Sequence, residues 1–296
     1  MPTTEAALPP RLVSRTAAAL SERRARLDAL LARLPGPPSG EALHDLRVAL
    51  RRTAALARLT GDAPRKGSGR GLRVAARDLR RALSTRRTED VARALLLNRF
   101  RRDPVRRPVA ERLAARLAKE GDPGPSPART RALLSRLRRA FTRREGALAR
   151  LHDPLTGTTD PRAETMLAKS VRRRLRRAAK RLRAAGVPGP AGLHPARIVA
   201  RDLRYCLEFA GASMPPAAAL VPLLVDFQET AGTAHDLAEL IVQVRRLAGR
   251  ARTVDRRAAL RLLPRILGAE ERAFARAQAS SRRLLARLKD MEFEWT

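Results

Sequence analysis

At 296 residues, with 44% hydrophobic residues and one cysteine, the chain can bury a substantial core but cannot form an internal disulfide. Its 63 Lys plus Arg against 29 Asp plus Glu give a net charge of +34, far beyond what solubility asks for and self-repelling in a compact state. A polyanionic partner is implied, whereas a membrane span is excluded by the lack of any run of about 18 apolar residues.

Strand signals are sparse, while Ala, Leu, Arg and Glu fill segments of helical period, so the fold class expected is all-α. Clusters of Pro and Gly separate the segments. Taken in order, helices are expected near residues 10–34, 42–60, 70–83, 88–100, 105–120 and 128–151. The loop DPLTGTTDP at 153–161 follows, and Asp160 with Pro161 opens the next helix. Further helices are expected at 162–185, 193–210, 215–230, 234–249 and 253–289, the last kinked or divided at Pro264.

One stretch occurs twice. LHDLRVALRRTAALARLTG begins at Leu43, and LHPARIVARDLRYCLEFAG begins at Leu193, 150 residues later. On a helix turning about 100° per residue, His44, Arg47, Arg51 and Arg58 form one stripe beside the apolar face of Leu43, Leu46 and Leu50. His194, Arg197, Arg201 and Arg204 occupy the same sector of the second copy, beside Leu193, Ala196 and Ala200. A second correspondence, displaced by 148 residues, pairs Asp78 with Asp226 and Arg87 with His235. Two pseudo-symmetric helical bundles related by internal duplication are therefore expected, at 10–152 and 161–290 of a single 1–296 domain.

Only Lys66, Lys119, Lys169, Lys180 and Lys289 are lysines, so the charge is carried by planar guanidiniums that match phosphate oxygens two at a time. Besides the two stripes, the candidate ligands for an anion are Arg52, Arg80, Arg87 and Tyr205, together with Arg173, Arg174, Arg177 and Arg181 from the basic run preceding the second stripe. Segments 136–150 and 282–289 are comparably basic and read equally well as solvated surface. Cys206, on an apolar-rich helix, reads as a buried small hydrophobe. No P-loop, G-x-S-x-G or glycine-rich strand-to-helix turn occurs. His44-Asp45 and His235-Asp236 lack the further converging ligands that a helical metal phosphohydrolase needs. No catalytic residue, metal or cofactor is expected.

These motifs resemble those of the CHAD family, histidine-marked α-helical domains. His44, Arg47 and Arg51 match its first signature, and His194, Arg197, Arg201, Arg204 and Tyr205 its second-half counterpart. LSTRRTEDV keeps Arg87, Asp90 and Val91 but has Ser84 where glycine is usual and Thr88 where aspartate is usual; AGTAHDLAE keeps Gly232 and Asp236. The resemblance implies two helical bundles with a basic surface or channel between them, binding of inorganic polyphosphate and no enzymatic activity. Some relatives carry a triphosphatase domain marked by alternating glutamates, a pattern not found here. With one Trp, one Tyr and six Phe, the chain offers few platforms for bases, so DNA or structured RNA is the rival partner on charge alone. The first twenty residues lack a basic stretch leading into an apolar run, so a cytoplasmic protein, associated with polyphosphate granules, is expected.

Overall fold

A computed structural model describes residues 12–32, 40–61, 68–120, 126–151, 159–210, 219–250 and 253–290. The fold is all-α, with eleven helices among the described residues: α1 (Leu12–Ala32), α2 (Gly40–Leu59), α3 (Ser68–Ala82), α4 (Ser84–Arg99), α5 (Arg107–Glu120), α6 (Pro127–Ala149), α7 (Pro161–Ala185), α8 (Pro190–Ala210), α9 (Leu220–Arg250), α10 (Thr253–Leu260) and α11 (Leu263–Asp290).

Local chemistry fixes the ends. Ser126 caps α6 by accepting from the Arg129 amide, and Asp160 caps α7 by accepting from the Arg162 amide, each followed by proline where a missing N–H costs nothing. α7 stops at Gly186, whose φ of 57° suits a residue without Cβ. The start of α1 is satisfied from a distance, because the Leu12 and Val13 amides donate to the Glu164 carboxylate on α7 at 2.6 and 3.0 Å.

Two cores result. Leu20, Leu27, Leu50, Leu72, Leu79 and Phe141 join α1, α2, α3 and α6, with Ala163 and Leu167 of α7 closing one side. Phe100, Leu113, Leu175, Leu203, Phe227 and Leu284 draw α4, α5, the later part of α7, α8, α9 and α11 into the other. Each such Leu or Phe contributes roughly 1.5–3 kcal/mol on burial. Phe209 touches both clusters.

The geometry repeats in part. α2 packs on α3 and α3 on α6, just as α8 packs on α9 and α9 on α11. Asp78 of α3 accepts from Arg136 of α6 at 3.1 Å, and Asp226 of α9 accepts from Arg283 of α11 at 2.8 Å and from Ser280. The division at 153–161 nevertheless does not carry over to the packing. α4 and α5 belong to the first half of the chain, yet Leu96, Phe100, Leu113 and Leu117 are buried in the second core, with α4 against α9 and α5 against α10. An amphipathic face specifies that it will be buried, not which partner buries it.

One helix expectation is corrected, and the expected division near Pro264 is found. Residues 215–230 and 234–249 were expected as separate helices, but α9 runs unbroken through Gly232, because Leu224, Phe227, Ala231, Ala234, Leu237 and Ile241 keep one apolar stripe in the core. That burial outweighs the roughly 1 kcal/mol cost of an interior glycine. Residues 253–289 are divided, the break falling at Arg261 and Leu262 so that Pro264 sits in the first turn of α11.

Candidate functional site

α2 and α8 pack against each other, each bordered by its own apolar face: Leu43, Leu46 and Leu50 on α2, and Leu193, Ala196 and Ala200 on α8 are all buried. Burying those faces brings the two basic stripes together between the helices. Arg51 is half-buried, and its guanidinium is pushed down to about 10, first by burial, then by Arg201, with further lowering from Arg47 and Arg197 and an opposing effect of Tyr205. It remains a cation at neutral pH.

Arg80 of α3 is lowered for the same reasons: burial first, then Arg201, Arg81 and Arg77. Among the described residues no carboxylate figures among the groups that shift Arg51. The buried Nε of Arg51 finds no hydrogen-bond acceptor among the described residues. Like charges held together in a partly desolvated setting, with donors left over, are destabilising.

Two arginines anchor the edges of this cluster. Arg47 donates from Nη1 to the Leu83 carbonyl at 3.1 Å, and Arg197 donates from Nε to the Gln228 carbonyl at 3.3 Å. Arg197 lies so close to α9 that a Cβ on Gly232 would come within 3.1 Å of its Nη2. Beside it the rings of His194 and His235 lie 4.4 Å apart and tilted by 41°. The His194 imidazole is held below its ordinary value by burial, then by His235, Arg197 and Arg201, against a weaker pull from Glu239.

The sequence pairs His235 with Arg87 and offers it with Asp236 as a metal-ligand pair that lacks further ligands, but does not place it among the anion-binding residues. The signal for including it is its spacing, since Gln228, Gly232 and His235 share one face of α9. His44 is half-buried one turn before Arg47 and prolongs the α2 stripe. Arg87 lies on α4, but its side chain is outside the described part of the structure.

The remaining candidates fall into two other groups rather than one continuous site. Arg58 of α2 pairs with Asp202 of α8, and both line a pocket with Arg174, Arg177 and Arg181 of α7 and with Cys206. Arg174 is lowered by burial first and then by Arg58. Cys206 is buried and its thiol is pushed up to about 12, by desolvation first and then by Asp202. It is an inert core residue. In the second group Tyr205 is buried between two cations, Arg52 and Arg204, whose guanidinium carbons lie 5.7 and 5.1 Å from its ring centroid.

Glu208 pairs with Arg204 at 3.1 Å and Arg52 at 3.8 Å, so this group carries its own counterion. Arg15 and Arg23 of α1 also face it, and were not expected there. Arg173 is exposed on α7 and lines neither pocket. Of the other basic segments, Arg144 is fully buried and donates to the Thr60 hydroxyl at 3.0 Å, while Arg136 and Arg283 serve the aspartates described above.

Among the described residues no group of three or more His, Cys, Asp and Glu side chains is placed to hold a metal ion. Asp45 faces Arg26 at 3.7 Å. No helix is long and apolar enough to cross a membrane among those residues.

Fold and site together define an all-α domain in which two histidine- and arginine-bearing helices pack face to face and concentrate guanidiniums between them. The chain matches the CHAD domain over residues 18–245, most of its length, and belongs to that family. The crystal structure of the CHAD domain from the plant Ricinus communis superposes with a TM-score of 0.57 at 20% identity, covering 95% of this chain and 92% of its own. PptA from Streptomyces chartreusis gives 0.52 at 16% identity, covering 94% and 99%. At such identities the likeness is one of fold. No curated protein matches this chain.

Proposed function

We propose that this chain binds inorganic polyphosphate between α2 and α8, as a binding protein rather than an enzyme. The observation that carries the reading is Arg51, a half-buried cation among Arg47, Arg197 and Arg201, which among the described residues has no carboxylate acting on it and a buried Nε without an acceptor. Polyphosphate supplies closely spaced negative charge and acceptor oxygens, and it has no base that needs stacking. The one tyrosine near the cluster is buried beside Arg52 and Arg204, so its ring offers little exposed surface for a nucleobase there.

His44, Arg47, Arg51, Arg80, Arg197, Arg201 and His194 form the central contact. The Arg58 and Arg174 pocket lies beside it, so a long chain reaches both, while Arg52 and Arg204 engage only by displacing Glu208. Association with polyphosphate granules inside the cell follows from such binding.

A competition titration tests this. Long-chain polyphosphate is expected to displace fluorescent RNA and duplex DNA at equal phosphate concentration, with affinity that falls steeply as salt rises through counterion release. The variant Arg51→Gln with Arg201→Gln should lose about tenfold or more, since hydrogen bonds to charged groups contribute roughly 1.5–3 kcal/mol each. Duplex DNA or RNA outcompeting polyphosphate would assign the surface to nucleic acid.

A further inference from the structure

The far side of α9 carries a second concentration of cations that the two stripes do not use. At 100° per residue Leu237 lies half a turn around α9 from Gln228, and so faces away from Arg197 and the histidine pair. There, α4, α9 and α11 enclose an open cleft of about 350 Å³ with an apolar floor of Leu95, Leu237 and Ala269. Arg99 of α4 and Arg272 and Arg276 of α11 stand at its rim, with the amide of Asn98 beside them. Arg272 and Arg276 are one turn apart on a shared face.

Arg99 is held below its ordinary value by burial, then by Arg272 and Arg265, and no carboxylate is among the groups acting on it. One of its nitrogens donates to the Arg265 carbonyl at 3.3 Å, leaving further N–H groups. Nearby Asp103 is taken up by Arg265 at 2.6 Å and Arg106 at 3.1 Å. The Thr233 hydroxyl donates to the Glu229 carbonyl, so it does not serve as a donor to a ligand. Arg272 and Arg276 lie beyond residues 18–245, the stretch that matches the family.

We propose that this cleft is a separate binding site for a phosphomonoester, its phosphate held by Arg99, Arg272 and Arg276 and a compact apolar group resting on Leu95, Leu237 and Ala269. Three guanidiniums suit a phosphate dianion better than a single carboxylate, and the bidentate fork of each reaches two oxygens. The apolar floor is what distinguishes this site from the central one, where cations converge.

Titration calorimetry of the full chain with phenyl phosphate and with inorganic phosphate tests the assignment. Phenyl phosphate should bind at least threefold more tightly than inorganic phosphate. Arg272→Gln with Arg276→Gln should weaken it at least tenfold, and so should Asn98→Glu, which places a carboxylate on an exposed rim position and leaves the core untouched. The gain of phenyl phosphate over inorganic phosphate should survive Arg51→Gln with Arg201→Gln, which removes cations from the central cluster alone. The proposal is overturned if the α11 variant binds normally, if the α2 and α8 variant is the one that loses phenyl phosphate, or if the phenyl group adds nothing.

Discussion

Replacing Arg51 by methionine should stabilise the free protein while weakening its hold on polyphosphate. Methionine keeps an unbranched apolar stem of similar reach and removes the charge. Lowering Arg51 from 12.5 to about 10 corresponds to roughly 3 kcal/mol of unfavourable free energy for its charged form. Partial exposure and solvent screening reduce what is recovered, so a gain of about 1–2 kcal/mol is expected. At roughly 2–4 °C per kcal/mol, melting followed by circular dichroism in low salt should shift upward by about 2–8 °C. The rise on adding saturating polyphosphate should shrink, because fewer contacts distinguish the bound state. An Arg51→Met protein that melts below its parent without ligand would refute the reasoning, since it would mean that the guanidinium contributes stability through partners within the fold.

His194 makes both stability and binding depend on pH. Its folded value lies below its ordinary one, so the unfolded chain binds more protons as pH falls through about 6.5, and the free protein should lose stability there. A bound polyanion favours the imidazolium, so polyphosphate should bind more tightly at pH 5.5 than at 7.5; His194→Gln should flatten both trends, and unchanged profiles would remove His194 from the site. Cys206, with its thiol pushed up to about 12, should resist thiol-specific reagents in the folded protein and react only in denaturant, whereas rapid labelling of the native chain would contradict its burial. Gly232→Ala should leave α9 as stable or slightly more so, by up to about 1 kcal/mol of helix propensity, yet weaken polyphosphate binding several-fold. Its Cβ would stand 3.1 Å from Arg197 Nη2 and push that guanidinium aside by a few tenths of an ångström, and an affinity that rises instead would contradict a contact between Arg197 and the ligand.

The helical nature of the chain and the meeting of its two stripes were legible because both are local. Leu43, Leu46 and Leu50 repeat at helical spacing beside His44, Arg47 and Arg51, and any packing that buries the leucines leaves the arginines at the edge of the contact. The separation of the arginines into groups was not legible. Arg51 and Arg52 are neighbours in sequence, but 100° of rotation sends one toward Arg201 and the other to the Glu208 carboxylate. Arg58 lies on the same stripe as Arg51, yet two further turns along α2 bring it to Asp202 and α7. Periodicity fixes a direction from the helix axis, whereas the neighbour met in that direction depends on the crossing of α2, α7 and α8. The same limit hid the placing of α4 and α5 in the second core.

The central arginines are held by a framework that satisfies other cations first. Asp78 and Asp226 bind Arg136 and Arg283 on the outer helices, Asp202 binds Arg58 across the α2 and α8 contact, and Glu208 is shared by Arg52 and Arg204. These carboxylates are thus committed elsewhere, and none of them acts on Arg51. Buried leucines and alanines on α2 and α8 keep the helices from separating to relieve the repulsion, because parting them would expose both apolar faces. A site arranged in this way does not need to gather its charges when the ligand arrives. Its repulsion is already present in the free protein, and an incoming anion both forms contacts and relieves it, so affinity and the stability of the free chain should change in opposite directions at Arg51.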